Sequence, residues 1–352
     1  MAVYYGLICI WGIFAAVRSI LQDQGYVLSK KSELILMSIP LVLVMALRAD
    51  TVGTDIMQYN YHYTQLAPNM SWQDVWNNPE KGYWALIKLF DDVGISWRIF
   101  FISYNAFVAI TFSVFFSKFS VNSFFTFFLH LTYGLFSMSM SGVRQTFAIA
   151  FGLIAYMLFR NKHYFRSALL CVLAYFFHNS AVILLLLLPV TLIKDNRNIR
   201  TLFLIFAFVT IFFRIPITEI VGKYLPASYQ DMNVFEGQYV NPLVVLIALL
   251  IPIACYICWS QADHTTWDHT FFLESCVYAA FFVLSISSNP FQRVGFYFLP
   301  FLCVMLANTV CSLRDRTARI FAMMLCLVLP GYMFVKASSG GTYSIDEYSV
   351  FF

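Results

Sequence analysis

Residues 124–159 read FFTFFLHLTYGLFSMSMSGVRQTFAIAFGLIAYMLF, an apolar run in which Arg144 is the one Lys, Arg, Asp or Glu. A second run, from Ser167 to Ile193, carries no such residue and is broken at Phe177-His178-Asn179-Ser180. Long apolar segments bounded by charge and turn residues are membrane helices. An ionisable group inside one costs about 3 kcal/mol on insertion scales, so such groups are rare and usually functional. The fold is read from the runs, and the site from the residues that break them.

Working outward, 60% of the 352 residues are apolar and only 11% are charged. Soluble domains carry about a quarter charged residues, so this chain is expected to be an all-α polytopic membrane protein. It forms a single integral membrane domain, 1–352, with no loop long enough to fold by itself. The net charge of +4 is spread over many loops and gives no support to nucleic-acid binding. Cys255 and Cys258 form a C-x-x-C inside the apolar run Leu243–Trp259, with no His or Asp nearby, and read as core rather than as a metal or redox pair. The first run lacks a positive n-region and a small-residue cleavage site, and is taken as a span.

Spans are expected at 2–17, 33–47, 96–117, 122–141, 143–159, 164–177, 179–193, 199–214, 242–259, 270–287, 294–312 and 318–335, about 12 in all. Alternate loops give one side Arg18, Lys30, Lys31, Lys118, Arg160, Lys162, Arg166, Lys194, Arg197, Arg200, Arg314, Arg316 and Arg319. By the positive-inside rule that side is cytoplasmic. The other side receives the loops 48–95 and 215–241, a tail from 337 to 352, and a scatter of lone arginines at span ends. Lone arginines against the charge trend are better explained by a bound anion than by topology.

Arg144 leads the candidates. A guanidinium stays charged and makes forked bonds to phosphate oxygens. Arg144 also falls in the first turn of a helix, where free N–H groups favour an anion, and Gln145 adds a donor. The alternative is an arginine snorkelling to the headgroups. Arg48, Arg293 and Arg214 are further span-end arginines with the same alternative. Asp55 with Tyr59, Tyr61 and Tyr63 mixes a carboxylate with aromatic faces, as sugar sites do; an interfacial aromatic belt is the competing reading. His178 titrates near neutrality and suits a proton acceptor, against a structural helix–helix bond. His264 and His269 read as solvated, and no metal ligand spacing is seen.

In order along the chain, Arg48-x4-Gly53-x-Asp55-x3-Tyr59, Gly142-Val143-Arg144-Gln145, Arg160-x-Lys162, Phe177-His178-Asn179-Ser180 and Arg293-x3-Tyr297 resemble the EpsG family, which holds Wzy-type polymerases of bacterial surface polysaccharide such as O-antigen. The tail Tyr343–Phe352 resembles that family's short aromatic C-terminus, without its Pro-Tyr. The resemblance implies a GT-C-like helical bundle of the bacterial inner membrane with a periplasmic active site. It implies glycosyl transfer between oligosaccharide repeat units carried on undecaprenyl diphosphate, with no metal or nucleotide cofactor. Arg48, Arg144, Gln145, Arg293 and Arg214 would then hold diphosphates, Tyr59, Tyr61 and Tyr63 would face sugar, and His178, with Asp55 second, would take the acceptor proton. A chain-length regulator and a flippase are the expected protein partners. The competing classes are a lipid-linked oligosaccharide flippase, which should show internal repeats, and a membrane acyltransferase that modifies sugars from the cytoplasmic side. No repeat is visible.

Overall fold

The computed structural model describes residues 1–26, 29–223, 242–258, 268–339 and 343–351. Its regular structure is helical, and among the described residues one isolated β-bridge, Arg48 to Val350, is the only named ladder contact. The chain divides into two units, one of residues 1–182 and 324–352, the other of residues 183–323.

In the first unit, α1 is Ala2–Asp23 and α2 is Lys30–Ala46. The loop after α2 carries three short helices, α3 (Ile56–Tyr61), α4 (Trp72–Asn77) and the amphipathic α5 (Lys81–Asp92). Then come α6 (Trp97–Phe119), α7 (Ser123–Thr132), α8 (Leu135–Ser139), α9 (Val143–Arg160) and α10 (Tyr164–Phe177). Helices α2, α6, α9 and α10 pack in that order, and α5 lies against α10. Serines inside these apolar helices satisfy themselves on backbone: Ser113 donates to Ala109 O at 2.7 Å, and Ser167 of α10 donates to Ala155 O of α9 at 2.8 Å. Lys30, at the start of α2, donates to Ser120 O beyond the end of α6 at 3.4 Å. The two helices therefore run antiparallel, and the loop 48–95 gathers at the far end from Lys30 and Lys118.

The second unit holds α11 (Leu184–Val190), α12 (Arg197–Gly222), α13 (Pro242–Cys258), α14 (His269–Leu284), α15 (Pro290–Gly295) and α16 (Leu299–Cys311). The hub is α14, which touches all the others. The last helix, α17 (Arg316–Ser339), begins in this unit and ends in the first. Of the pair read as core, Cys255 is buried and Cys258 half-buried; Cys276 and Cys303 are also buried.

The apolar runs are helical, but not all are single spans. Among the described residues, four helices are long and apolar enough to cross a membrane: Trp97–Phe119, Val143–Arg160, Arg197–Val221 and Arg316–Lys336. Shorter apolar helices include Ser123–Thr132, Tyr164–Phe177, His269–Leu284 and Leu299–Cys311. The run 122–141 is cut at Gly134, whose φ is +89°, into α7 and α8. The run 179–193 starts as a 3-10 turn, Asn179–Ile183, before α11. Several boundaries also move: the first helix continues to Asp23, α12 to Gly222 and the C-terminal helix to Ser339, and the span expected from 294 begins at Leu299. Residues 224–241, most of the expected second outer loop, lie outside the described residues, as does His264. His269 is not solvated as expected; its Nε2 is 2.6 Å from Ile193 O.

Candidate active site

Two arginines organise the loop-bearing end of the first unit, and they are built differently. Arg48 follows α2 and is wholly buried. Its Nε donates to Val52 O at 3.1 Å, one terminal nitrogen to Asn105 Oδ1 at 2.8 Å and to Met45 O, and the other to Met140 O at 3.0 Å. Four of the five N–H groups a guanidinium carries are thus spent, and the cation also lies 4.7 Å over the Phe101 ring. Burial lowers its pKa to about 10, so it stays charged at neutral pH. Arg48 therefore has no face open to the diphosphate expected there and acts as a strut.

The strut fixes a crossing of three segments. Gly53, with φ +108°, passes so close to Met140 that an added Cβ would sit 2.1 Å from the Met140 oxygen, the same oxygen that accepts from Arg48. Ser141 Oγ accepts from Thr54 N at 3.1 Å and donates to Tyr343 O at 3.2 Å. The tail runs along this loop: Gly53 N bonds Ser344 O, Ala49 N bonds Ser349 O, and Arg98 lies 3.7 Å over the Phe351 ring. The tail is therefore a backbone-paired strap on residues 47–54. Together these bonds anchor Ser141 and Gly142, the residues from which α9 starts.

In the first turn of α9, Arg144 has a different environment. Its side chain is 33% exposed and forms an ion pair with Glu80, whose side chain is 9% exposed. Its Nε donates to the Tyr59 hydroxyl at 3.4 Å, and the guanidinium lies 5.8 Å and 5.7 Å over the rings of Tyr59 and Tyr83. Burial raises the Tyr59 phenol, against the pull of Arg144, so it keeps a proton to donate. Behind these rings, Tyr83 OH is 3.4 Å from His62 Nδ1, and His62 packs on Trp84 at 4.9 Å. Burial first, and Arg144 second, lower the pKa of His62 and hold it neutral.

Glu80 joins this arginine to His178. His178 ends α10 in extended backbone (φ −156°, ψ 124°), and its Nε2 is 3.9 Å from Glu80 Oε1. The Ser180 backbone N–H donates to His178 Nδ1 at 3.3 Å, with Ser180 Oγ 2.6 Å from the same atom. A ring nitrogen that accepts an N–H carries no proton, so the neutral ring holds its proton on Nε2, facing Glu80. In this form His178 presents a donor to Glu80, where a proton acceptor was expected. Gly82 makes the approach possible: a Cβ there would lie 3.0 Å from the Phe176 backbone carbon and from Phe177. The start of α5 can therefore seat against the end of α10.

The other expected residues are dispersed. Asp55 precedes α3, is half-buried, and caps no helical N–H. The three tyrosines do not form one sugar-facing surface, because residues two apart on a helix face different ways. Tyr59 lies under Arg144. Tyr61 is 55% exposed. Tyr63 is buried, stacks on Phe100 and donates to Ile95 O at 2.6 Å. Gln145 is buried beside Arg144. Arg293, at the end of α15, and Arg214 belong to the other unit. Arg214 is not at a helix end as expected but inside α12, donating to Ile211 O at 3.3 Å. Glu80, Tyr83, His62 and Asn105 were not singled out by sequence. Glu80 sits in a polar loop with nothing to mark it, whereas Asn105, an amide inside the apolar α6, is a signal of the same kind as Arg144.

Among the described residues, no three His, Cys, Asp or Glu side chains converge as metal ligands would. The arrangement is an arginine with an open edge, a phenol that can donate, and a carboxylate–imidazole pair within the same few ångströms. Neither a curated protein nor a solved structure gives a significant match. The EpsG family model matches residues 34–350, which span every residue of this site. The chain is a helical membrane protein that belongs to the EpsG family, a membership that points to a glycosyltransferase-like role in polysaccharide polymerisation.

Proposed function

We propose that the chain joins oligosaccharide repeat units carried on undecaprenyl diphosphate into O-antigen or a related surface polysaccharide. The observation that carries this reading is Arg144: a partly exposed guanidinium in the first turn of a membrane-capable helix, flanked by a phenol and a carboxylate–imidazole pair. In the transfer, an acceptor hydroxyl attacks the anomeric carbon as the diphosphate leaves. The leaving group needs charge stabilisation more than a proton, so a positioned arginine supplies what a metal ion supplies elsewhere. Arg144 with the Tyr59 hydroxyl would hold the departing phosphate, and the helix N-terminus adds its partial charge. The proton is taken up at the His178–Glu80 pair, with Asp55 the second candidate.

In this reading the shorter apolar helices also lie in the bilayer, giving about 12 membrane segments in a GT-C-like bundle. The loop 48–95, Arg144, His178 and the tail would face the periplasm, and the lysine-bearing ends of α2 and α6 the cytoplasm. The convergence of the loop, the tail and both site helices at one end of the first unit supports this placement. A chain-length regulator and a flippase are the proposed partners in the inner membrane.

The test is a deletion strain examined by polysaccharide gel. A polymerase defect removes the ladder and leaves single capped repeats, and a flippase defect leaves no capped repeat at all. Restoration by the wild-type chain with a ladder supports the proposal; absence of single repeats in the deletion strain overturns it.

A further inference from the structure

We propose that Glu80 is the catalytic base of the transfer and that arrival of the diphosphate at Arg144 switches it on. The inference rests on the polymerase reading above. As the site stands, one carboxylate oxygen of Glu80 occupies Arg144 and the other faces His178 Nε2 at 3.9 Å. A carboxylate held by a guanidinium takes up a proton poorly. Arg144 nevertheless has its outer edge open, and a diphosphate, with more charge and a better fork geometry, outcompetes a single carboxylate for it. Two anions cannot share one arginine without mutual repulsion, so the ligand drives Glu80 off.

Where Glu80 goes is set by the fold. Gly82 seats the start of α5 against Phe176 and Phe177 and so keeps Glu80 beside the end of α10. On its other side stands His178, whose Nε2 proton, fixed by the Ser180 N–H on Nδ1, is aimed at Glu80. Released from the Arg144 cation, the carboxylate becomes a stronger base than it is within the ion pair. The acceptor oxygen then bonds to the anomeric carbon, the anomeric C–O bond breaks with its electron pair leaving on the diphosphate, and the hydroxyl proton passes to Glu80. His178 is a positioning residue. The base is therefore competent only when a donor diphosphate is seated, which protects an empty site from idle proton chemistry.

The experiment uses the full chain in lipid nanodiscs, with undecaprenyl diphosphate as the binding probe and lipid-linked repeat units as substrate. Glu80→Gln should bind the probe as tightly as wild type or several-fold tighter, because a competitor of the same shape has been neutralised, while turnover falls by a factor of about 100 or more. Glu80→Asp should retain measurable turnover, and His178→Gln, which keeps a donor, should retain more than His178→Ala and shift the pH profile. Near-wild-type turnover of Glu80→Gln, or binding weakened tenfold or more in that variant, overturns the proposal; the second result would make Glu80 a mere support for Arg144. Failure of the wild-type chain to bind the probe would instead remove the polymerase reading, and this inference with it.

Discussion

Arg48 and Arg144 stand at the two ends of one connected structure, and both look alike as letters in an apolar sequence. The first spends its donors on three backbone carbonyls and one amide, with its charge sealed from any ligand. The second spends its donors on a carboxylate and a phenol, groups that a stronger anion can displace, and keeps a third of its side chain exposed. Saturation by fixed backbone acceptors marks a strut. Pairing with a titratable, movable partner marks a binding group. The strut serves the site, because Arg48, Gly53 and the tail together hold Met140–Gly142, from which α9 and Arg144 are launched.

Substitutions at the strut should give the largest effects. Arg48→Ala strands Val52 O, Met140 O and the Asn105 side chain in the interior, at about 1–3 kcal/mol for each unsatisfied group. We expect loss of folded protein, read as the monodisperse fraction in detergent; normal yield would show that the junction tolerates its removal. Gly53→Ala, which forces a Cβ into the Met140 carbonyl, should behave similarly. Next comes Arg144→Lys. A lysine keeps the charge but loses the fork, so the chain should fold and insert while ladder formation drops by about 100-fold or more, the scale for one lost oxyanion donor.

Gly82→Ala should act more mildly and selectively. Its Cβ meets the Phe176 backbone at 3.0 Å, so α5 must retreat by a few tenths of an ångström and carry Glu80 away from His178. Turnover should fall while binding of undecaprenyl diphosphate is kept; unchanged turnover would show that the Glu80–His178 spacing does not matter. The smallest effect is a pH dependence at His62. Burial lowers its pKa in the folded chain, so the unfolded chain, titrating near pH 6.5, takes up the proton first. Stability should therefore fall as pH drops below about 6.5, and His62→Gln should make that fall shallower in thermal unfolding. An unaltered slope would locate the acid sensitivity elsewhere.

Much of the helical layout was legible in the sequence, because apolar length and charged boundaries are local signals. The breaks at Gly142 and His178 were legible for the same reason. The run 122–141 was misread as one helix, since Gly134 in the left-handed region is a backbone choice that hydropathy does not register. The end of α12 was misplaced because Arg214 looked like a terminus, whereas its guanidinium is accommodated within the helix by Ile211 O. In the site, Arg144 and His178 stood out by their cost in apolar sequence. Glu80 did not, because an acid in a polar loop costs nothing there; only the seating of α5 on α10 makes it a buried partner. The roles of Arg48 and Tyr63 were unreadable because the partners that complete them, Met140 and Asn105 for Arg48 and Ile95 for Tyr63, are brought close only by tertiary contact.

The contrast between the two arginines is tested most directly by measuring undecaprenyl diphosphate binding and ladder formation by Arg144→Lys and Arg48→Lys, each normalised to folded protein. The expected result is a well-folded Arg144→Lys chain with weakened binding and no ladder, beside a poorly folding Arg48→Lys chain whose surviving fraction binds normally. A folded Arg144→Lys chain that binds and polymerises like wild type would contradict the assignment of Arg144 as the diphosphate clamp.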